Sequence, residues 1–247
     1  MTRKTPAGKS PLAMPRWDIA DPQAAQALRA LIEATRRNIP ADRTLSVSCK
    51  QGTAICFVVS GWLVLSKSTM EGHRQIIDIL LPGDVFDPRS AGGEHATADL
   101  WALTDVTLSS IPRGDWQRLL GAHADAHWLV DDLFALRDAR MAERMLRLGR
   151  SNADCRIAYA LLELGLRTST SGLVGEKQFH IPMTQQVLGD FVGLSSVHVC
   201  RTFRRFERQD ILSVSDHMDI FVHDLDALAV IAEIDLEELR REVTHAA

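Results

Sequence analysis

Cysteine is scarce: Cys49, Cys56, Cys155 and Cys200 are scattered through 247 residues and form no CxxC pair. That spacing argues against a disulfide framework and against a thiolate zinc site. No apolar run reaches the roughly 18 residues that a membrane-spanning helix requires. The opening stretch, MTRKTPAGKSPLAMPR, is basic without the apolar core of a signal peptide, so a cytoplasmic protein with a disordered basic N-terminus is expected. Catalytic signatures are missing as well: there is no GxSxG elbow, no phosphate-gripping glycine loop and no HExxH. No internal repeat is found, and no residue cluster implies a cofactor. Positive charge is not in excess either, the net charge being -4. Attraction to an anionic partner must then come from where the cations lie rather than from their sum. The composition, 46% apolar and 24% charged, is that of a chain able to bury one large core or two modest ones.

The cations are concentrated between Met183 and Leu212, MTQQVLGDFVGLSSVHVCRTFRRFERQDIL. This stretch reads as two short helices joined by a glycine turn. Thr184 can cap the first helix, and Leu188, Val192, Leu194 and Val199 supply the contacts that lock one helix across the other. Gly189 fits the crossing, where a side chain would push the helices apart. Gly193 fits a sharp bend through a left-handed conformation. Ser195 can cap the second helix, about Ser196 to Arg208, which carries Arg201, Arg204, Arg205 and Arg208 against the single acid Glu207. Val199, Phe203 and Phe206 lie at apolar helical spacing, so one face packs inward while the other offers guanidinium groups. Ile211–Ser215 and Asp219–His223 alternate around Asp216, His217 and Met218 as a short hairpin, with Gln178–Pro182 as the strand that pairs with it. Together these make a winged helix-turn-helix. A merely solvated amphipathic helix is the bland alternative.

Upstream, Thr44 to Ile111 offers short apolar or alternating runs separated by turn residues, which suits a small antiparallel roll. Strands are expected at Thr44–Ser48, Ile55–Ser60, Leu63–Ser66, Gln75–Leu80, Ala96–Leu103 and Val106–Ile111, punctuated by Ser60-Gly61, Glu71-Gly72 and Pro82-Gly83-Asp84. Pro22–Arg37 has helical spacing. A long helical segment begins at Asp115, breaks near Gly121 and runs to about Gly149, with Leu129, Leu133, Leu136, Met141, Met145 and Leu148 as its apolar stripe. Packing on the roll and pairing with a second copy as a parallel coiled coil are both open; pairing is favoured, although Arg140 and Glu143 interrupt the seam. Ser151–Asp154 caps a helix over Cys155–Arg167, Thr168–Gly175 is a polar loop, and Leu225–Val243 forms amphipathic helices. The fold class is therefore α+β: an N-terminal antiparallel β-roll, a long dimerisation helix and a C-terminal winged helix-turn-helix. The expected division is a disordered 1–16, the roll over 17–122, the long helix over 123–150 and the DNA-binding domain with a helical tail over 151–247.

Val58 to Leu65, Ile76 to Phe86 (IIDILLPGDVF) and the helix-turn-helix resemble the Crp/Fnr regulators, bacterial transcription factors with a cyclic-nucleotide-binding-like roll. The resemblance covers about Thr44 to His223. Leu194–Phe203 looks most like the branch with the recognition pattern LSxVHVNRTL, with cysteine in place of the asparagine. In members that respond to cyclic AMP, the resemblance implies a ribose-binding Glu and a phosphate-binding Arg-Ser. Those places hold Pro88 and Ala96-Thr97, which argues against cyclic AMP in the usual mode because a buried phosphate would lack its charge-assisted partner; Arg89 or His95 is the remaining substitute. The cysteine group of the iron-sulfur members is absent before Cys49. His73 and His95 offer a poor basis for haem. The effector is left unknown.

The resemblance implies Arg201 as the base-reading residue, through two hydrogen bonds to guanine O6 and N7; the alternative for it is a phosphate clamp. Ser196, Val197 and His198 start the helix nearest the groove. Valine stands where many relatives carry glutamate, and it can touch a thymine methyl but cannot accept from cytosine. Thr184, Gln185, Ser195, Arg204 and Arg205 are the expected backbone contacts. Cys200, beside Arg201, admits a redox switch through a sulfenate; a small residue tolerated at a close approach is the favoured reading. The expected function is a homodimeric, non-enzymatic, sequence-specific regulator on inverted-repeat double-stranded DNA, with RNA polymerase as a possible further partner and no membrane. Two rivals stand beside it: an effector-binding regulator acting by protein contact, and a cupin-like enzyme, whose HxH-based metal set the roll lacks because it holds only His73 and His95.

Overall fold

The computed structural model describes residues 21–47, 54–87, 98–170 and 177–243. The expected disorder of the N-terminus, the effector positions Pro88, Arg89, His95 and Ala96-Thr97, and most of the loop after Thr170 lie outside them. Helix α1 (Pro22–Ala34) starts at Asp21, whose carboxylate accepts the Gln23 amide, with proline at its first turn. The roll follows as β1 (Arg36–Ile39), β2 (Thr44–Val47), β3 (Ala54–Ser60), β4 (Leu63–Ser68), β5 (Arg74–Leu80), β6 (Val85–Phe86), β7 (Ala98–Ala102) and β8 (Val106–Pro112). The expected helix over Pro22–Arg37 therefore ends early. Thr35 closes it, and Arg36–Ile39 instead pairs antiparallel with β8, Ile39 opposite Val106.

Two antiparallel four-stranded sheets, in the orders β1-β8-β3-β6 and β2-β7-β4-β5, enclose a core of Cys56, Val58, Leu63, Leu65, Leu80, Phe86, Leu100 and Leu108. Strand β3 and the first half of β4 are near-continuous apolar runs because both of their faces are covered. On β3, Cys56 and Val58 point inward while Ile55, Phe57 and Val59 meet α1 and the helices that follow the roll. Burial pushes the Cys56 thiol up to about 11, leaving it a packing group. On the other sheet, Trp62, Val64, Ile76 and Ile79 face outward into the core of the C-terminal domain, so the two domains share one apolar cluster.

Helices α2 (Arg113–Ala122) and α3 (Ala124–Arg150) form the expected broken segment. The apolar stripe on α3 is corrected by the structure. Leu133 is buried toward the roll, Leu136, Met141 and Leu148 are half-buried, and Met145 is exposed. Arg140, read as an interruption, is buried with Arg137 and Arg144 on the inward face. These three face Asp78 of β5 and Asp84 of the turn after it: Arg137 and Arg144 reach Asp78 at 3.0 and 2.6 Å, and Arg140 reaches Asp84 at 3.0 Å. From α4 (Ala153–Thr170), Glu163 accepts both forks of Arg144 at 3.1 and 2.5 Å and Arg167 at 3.0 Å, and Arg167 also pairs with Asp84. A buried lattice of four guanidinium groups and three carboxylates thus joins roll, long helix and C-terminal domain. Burial alone would raise Asp78 and Glu163, but Arg144, followed by the other arginines, outweighs it and holds both below the usual carboxylate range.

The C-terminal domain continues with β9 (Gln178–His180), α5 (Gln185–Val192), α6 (Ser196–Arg208), β10 (Leu212–Val214), β11 (Asp219–Val222), α7 (Leu225–Ile231) and α8 (Leu236–Val243). The three strands form a sheet in the order β10-β11-β9. Helix α4 runs past the expected Arg167 to Thr170.

Candidate nucleic-acid interface

Helices α5 and α6 are fixed by the local chemistry of their ends. Thr184 Oγ1 accepts the Val187 amide at 3.3 Å, satisfying one donor that the first turn of α5 leaves without a partner. Gly193 closes that helix in the left-handed region, φ 68°. At Gly189 a Cβ would lie 2.5 Å from the Leu194 carbonyl oxygen, so the two helices cross at a distance only glycine permits. Ser195 Oγ then accepts the His198 amide at 3.4 Å and caps α6, while sharing a 2.8 Å hydrogen bond with the His198 ring.

On α6, Val199, Thr202, Phe203 and Phe206 are buried at helical spacing. Thr202 Oγ1 also donates to Asp154 of α4 at 3.0 Å. The opposite face is open. Val197 is 55% exposed, and His198, Arg201, Arg204 and Arg208 are exposed beside it. Arg201, Arg204, Arg205 and Arg208 line one shallow groove with Glu207. Ser196 is half-buried at the start of the helix and Ser195 is exposed. Thr184 is exposed and Gln185 half-buried at the start of α5, and both face the same cleft as Arg204 and the half-buried Cys200. Arg205 is drawn aside into an ion pair with Asp154. The structure thus gathers the residues singled out from the sequence on one side of the domain, with Arg205 at its margin.

The wing turns through Ser215 to Met218, where Met218 takes φ 61°. Asp219 fixes its base, hydrogen-bonded to Ser215 Oγ and His180 Nδ1 at 2.9 Å each, and these bonds hold its carboxyl below the ordinary range. Sequence reading passed over Asp154 and over the buried lattice. Asp154 looked like a capping residue of α4. The arginines of α3 carried a signal in their spacing, since positions 137, 140 and 144 lie on one helical face. In the roll, His73 is exposed 3.7 Å from Glu71. No group of three or more His, Cys, Asp and Glu residues able to hold a metal occurs among the described residues. None of the described helices is long and apolar enough to cross a membrane.

Comparison with known proteins agrees with this geometry. A Crp-like helix-turn-helix domain matches residues 155–231 and a cyclic nucleotide-binding domain matches residues 36–123. The nitrogen fixation regulation protein FixK of Bradyrhizobium diazoefficiens is 30% identical over 66% of this chain and 67% of its own length. FixK of Azorhizobium caulinodans is 30% identical over 69% of this chain and 68% of its own. The solved structure of FixK2 from Bradyrhizobium japonicum superimposes with a TM-score of 0.68 at 27% identity, covering 81% of this chain and 98% of that one. With the roll, the long helix and the capped helix pair all in place, the chain belongs to the Crp/Fnr family of transcription regulators.

Proposed function

We propose that the protein acts as a homodimer that reads an inverted repeat in double-stranded DNA in the cytoplasm, with the chain dividing functionally near residues 122 and 150. The observation that carries this is the two-faced α6: four buried residues anchor it, and Val197, His198, Arg201, Arg204 and Arg208 are exposed on the other side. In a major groove Arg201 is the base reader, while Ser196, Val197 and His198 meet the adjoining base edges. Thr184, Gln185, Ser195, Arg204 and Arg205 take phosphates and set the register. Cys200 is assigned the role of a small side chain at a close approach, and RNA polymerase is the natural protein partner of such a regulator.

Selection of bound fragments from random duplexes tests this reading by returning a half-site and its spacing. Arg201→Ala should then cost about 1–3 kcal/mol per half-site and relax preference at one base position. Affinity that is absent, or that does not fall with salt, would favour regulation by protein contact instead.

Pairing is supported by the outward face of α3. Trp128 and Met145 are each 70% exposed and Leu146 is 49% exposed, with exposed Ala135 and Ala142 on the same side as Trp128 and Leu146. A long helix that leaves tryptophan in water, with small residues between its apolar ends, offers a seam to a second copy. The double variant Trp128→Glu, Leu146→Glu should sediment as a monomer and bind the inverted repeat about a hundredfold more weakly, because the second half-site is no longer tethered. An unchanged dimer would place the seam elsewhere.

A further inference from the structure

We propose that the roll itself meets the DNA that flanks each half-site, and that Asp42 makes this contact repulsive. The proposal rests on the DNA-binding reading above and extends it to a part of the chain otherwise viewed as sensory. Between the two domains lies a cleft of about 730 Å³. One wall is Asp42, Trp101 and Leu103 of the roll; the other includes Thr184, Gln185 and Arg204, and the wing residues 214–218 close its end. Arg204 and Glu207 line both this cleft and the groove along the open face of α6, so the cleft continues the recognition surface. A phosphate strand leaving the recognition helix between α6 and the wing enters it.

The roll's wall is held in place. Arg74 reaches Asp190 of α5 with two nitrogens, at 3.0 and 2.6 Å, and lies 5.0 Å from the Trp101 ring centre. Gln75 donates to the carbonyls of Asp190 and Phe191 at 2.8 and 3.2 Å, using groups that the end of α5 leaves open. The turn bearing Asp42 is pinned as well: the Asp42 amide donates to Ala102 at 2.8 Å, and the Ala41 amide to the Asp105 carboxylate at 2.9 Å. Asp105 is engaged in holding the turn. The Asp42 carboxylate has no ion pair or hydrogen bond with any described residue, and the side chain is exposed at φ 62°. An anion on a fixed turn, with no partner among the described residues and beside a path for phosphates, weakens binding to every extended duplex alike, whatever its sequence. Marginal sites then lose occupancy before strong ones.

The test compares two duplexes carrying the selected site, one ending at the outer edges of the half-sites and one extended on both sides, by fluorescence anisotropy at fixed salt. Asp42→Asn and Asp42→Gly both remove the charge and both accept a positive φ. Each should tighten binding to the long duplex about threefold and leave the short one unchanged. Asp42→Lys should tighten it about tenfold and steepen the salt dependence by about one counterion per protomer. Equal affinities for all four proteins on the long duplex, or equal gains on both lengths, would overturn the roll contact while leaving the recognition helix intact. Failure of the unaltered chain to bind any duplex would overturn both readings.

Discussion

Glu163→Ala is expected to lower stability by about 3–5 kcal/mol and to loosen the C-terminal domain from the roll. Glu163 is fully buried and accepts both forks of Arg144 together with Arg167. Removing it leaves four buried guanidinium groups facing only the two carboxylates of Asp78 and Asp84, and such loss of one buried partner sits at the high end of mutational costs. The effect spreads because the same arginines hold Asp78 on β5 and Asp84 after it. Urea unfolding should show a lower midpoint, and hydrogen exchange should quicken in α4 and β5 before it quickens in β3 and β8. A double replacement, Arg144→Met with Glu163→Leu, should recover part of the loss by removing the stranded charge with its partner. A loss under 1 kcal/mol in the single variant would show that the lattice contributes little. The pH dependence has a definite sign. Asp78 and Glu163 are held below the ordinary carboxylate range in the folded chain. Their contribution is therefore fully present above about pH 4–5, where the unfolded carboxylates are ionised, and fades only as pH falls through the lower folded values. Glu163→Gln should flatten part of that acid slope.

The helix-turn-helix was legible because its determinants are local. Thr184, Gly189, Gly193 and Ser195 each act on a helix end or crossing within a few residues, so spacing alone locates the two helices and their turn. The roll was legible as a set of strands, since Val58–Leu65 and Ile76–Phe86 alternate or run apolar between glycine turns. Strand β1 was not legible: Arg36–Ile39 follows a helix without a breaker, and it becomes a strand only because β8, about seventy residues on, offers it a partner. The inward face of α3 was misread for a related reason. An arginine on an amphipathic helix ordinarily marks solvent. Arg137, Arg140 and Arg144 are buried because Asp78, Asp84 and Glu163 converge on them from β5, the turn after it and α4; the one-face spacing of the arginines is local, but the carboxylates that meet them are distant in sequence. The apolar side chains left exposed on the opposite side of the helix are Trp128 and Leu146, outside the expected stripe.

Gly189→Ala should abolish high-affinity DNA binding more completely than Gly193→Ala, although both change one hydrogen to a methyl group within the same helix-turn-helix. At Gly189 the new Cβ would meet the Leu194 carbonyl oxygen at 2.5 Å and lie 3.4 Å from its carbon. That backbone cannot turn away, since the Leu194 amide donates to Gly189 O at 2.9 Å and Ser195, next along, caps α6. Relief requires the two helices to separate, which tilts α6 away from its seat on Val199, Phe203 and Phe206 and so displaces Arg201 on its open face. Overpacking of this kind costs about 1–3 kcal/mol in stability. Lost base contacts add about 1–3 kcal/mol per half-site, so a dimer on two half-sites should lose about a hundredfold or more in affinity. At Gly193 the Cβ would meet the end of the Leu148 side chain at 2.8 Å, a group that can rotate away, and the remaining penalty is the left-handed φ of 68°, worth about 1–2 kcal/mol for an L-residue. Gly193→Ala should therefore lower the melting temperature by a few degrees while keeping site preference and most of the affinity. Anisotropy titrations beside thermal melts separate the two, and equal losses of affinity would show that recognition does not depend on the crossing distance.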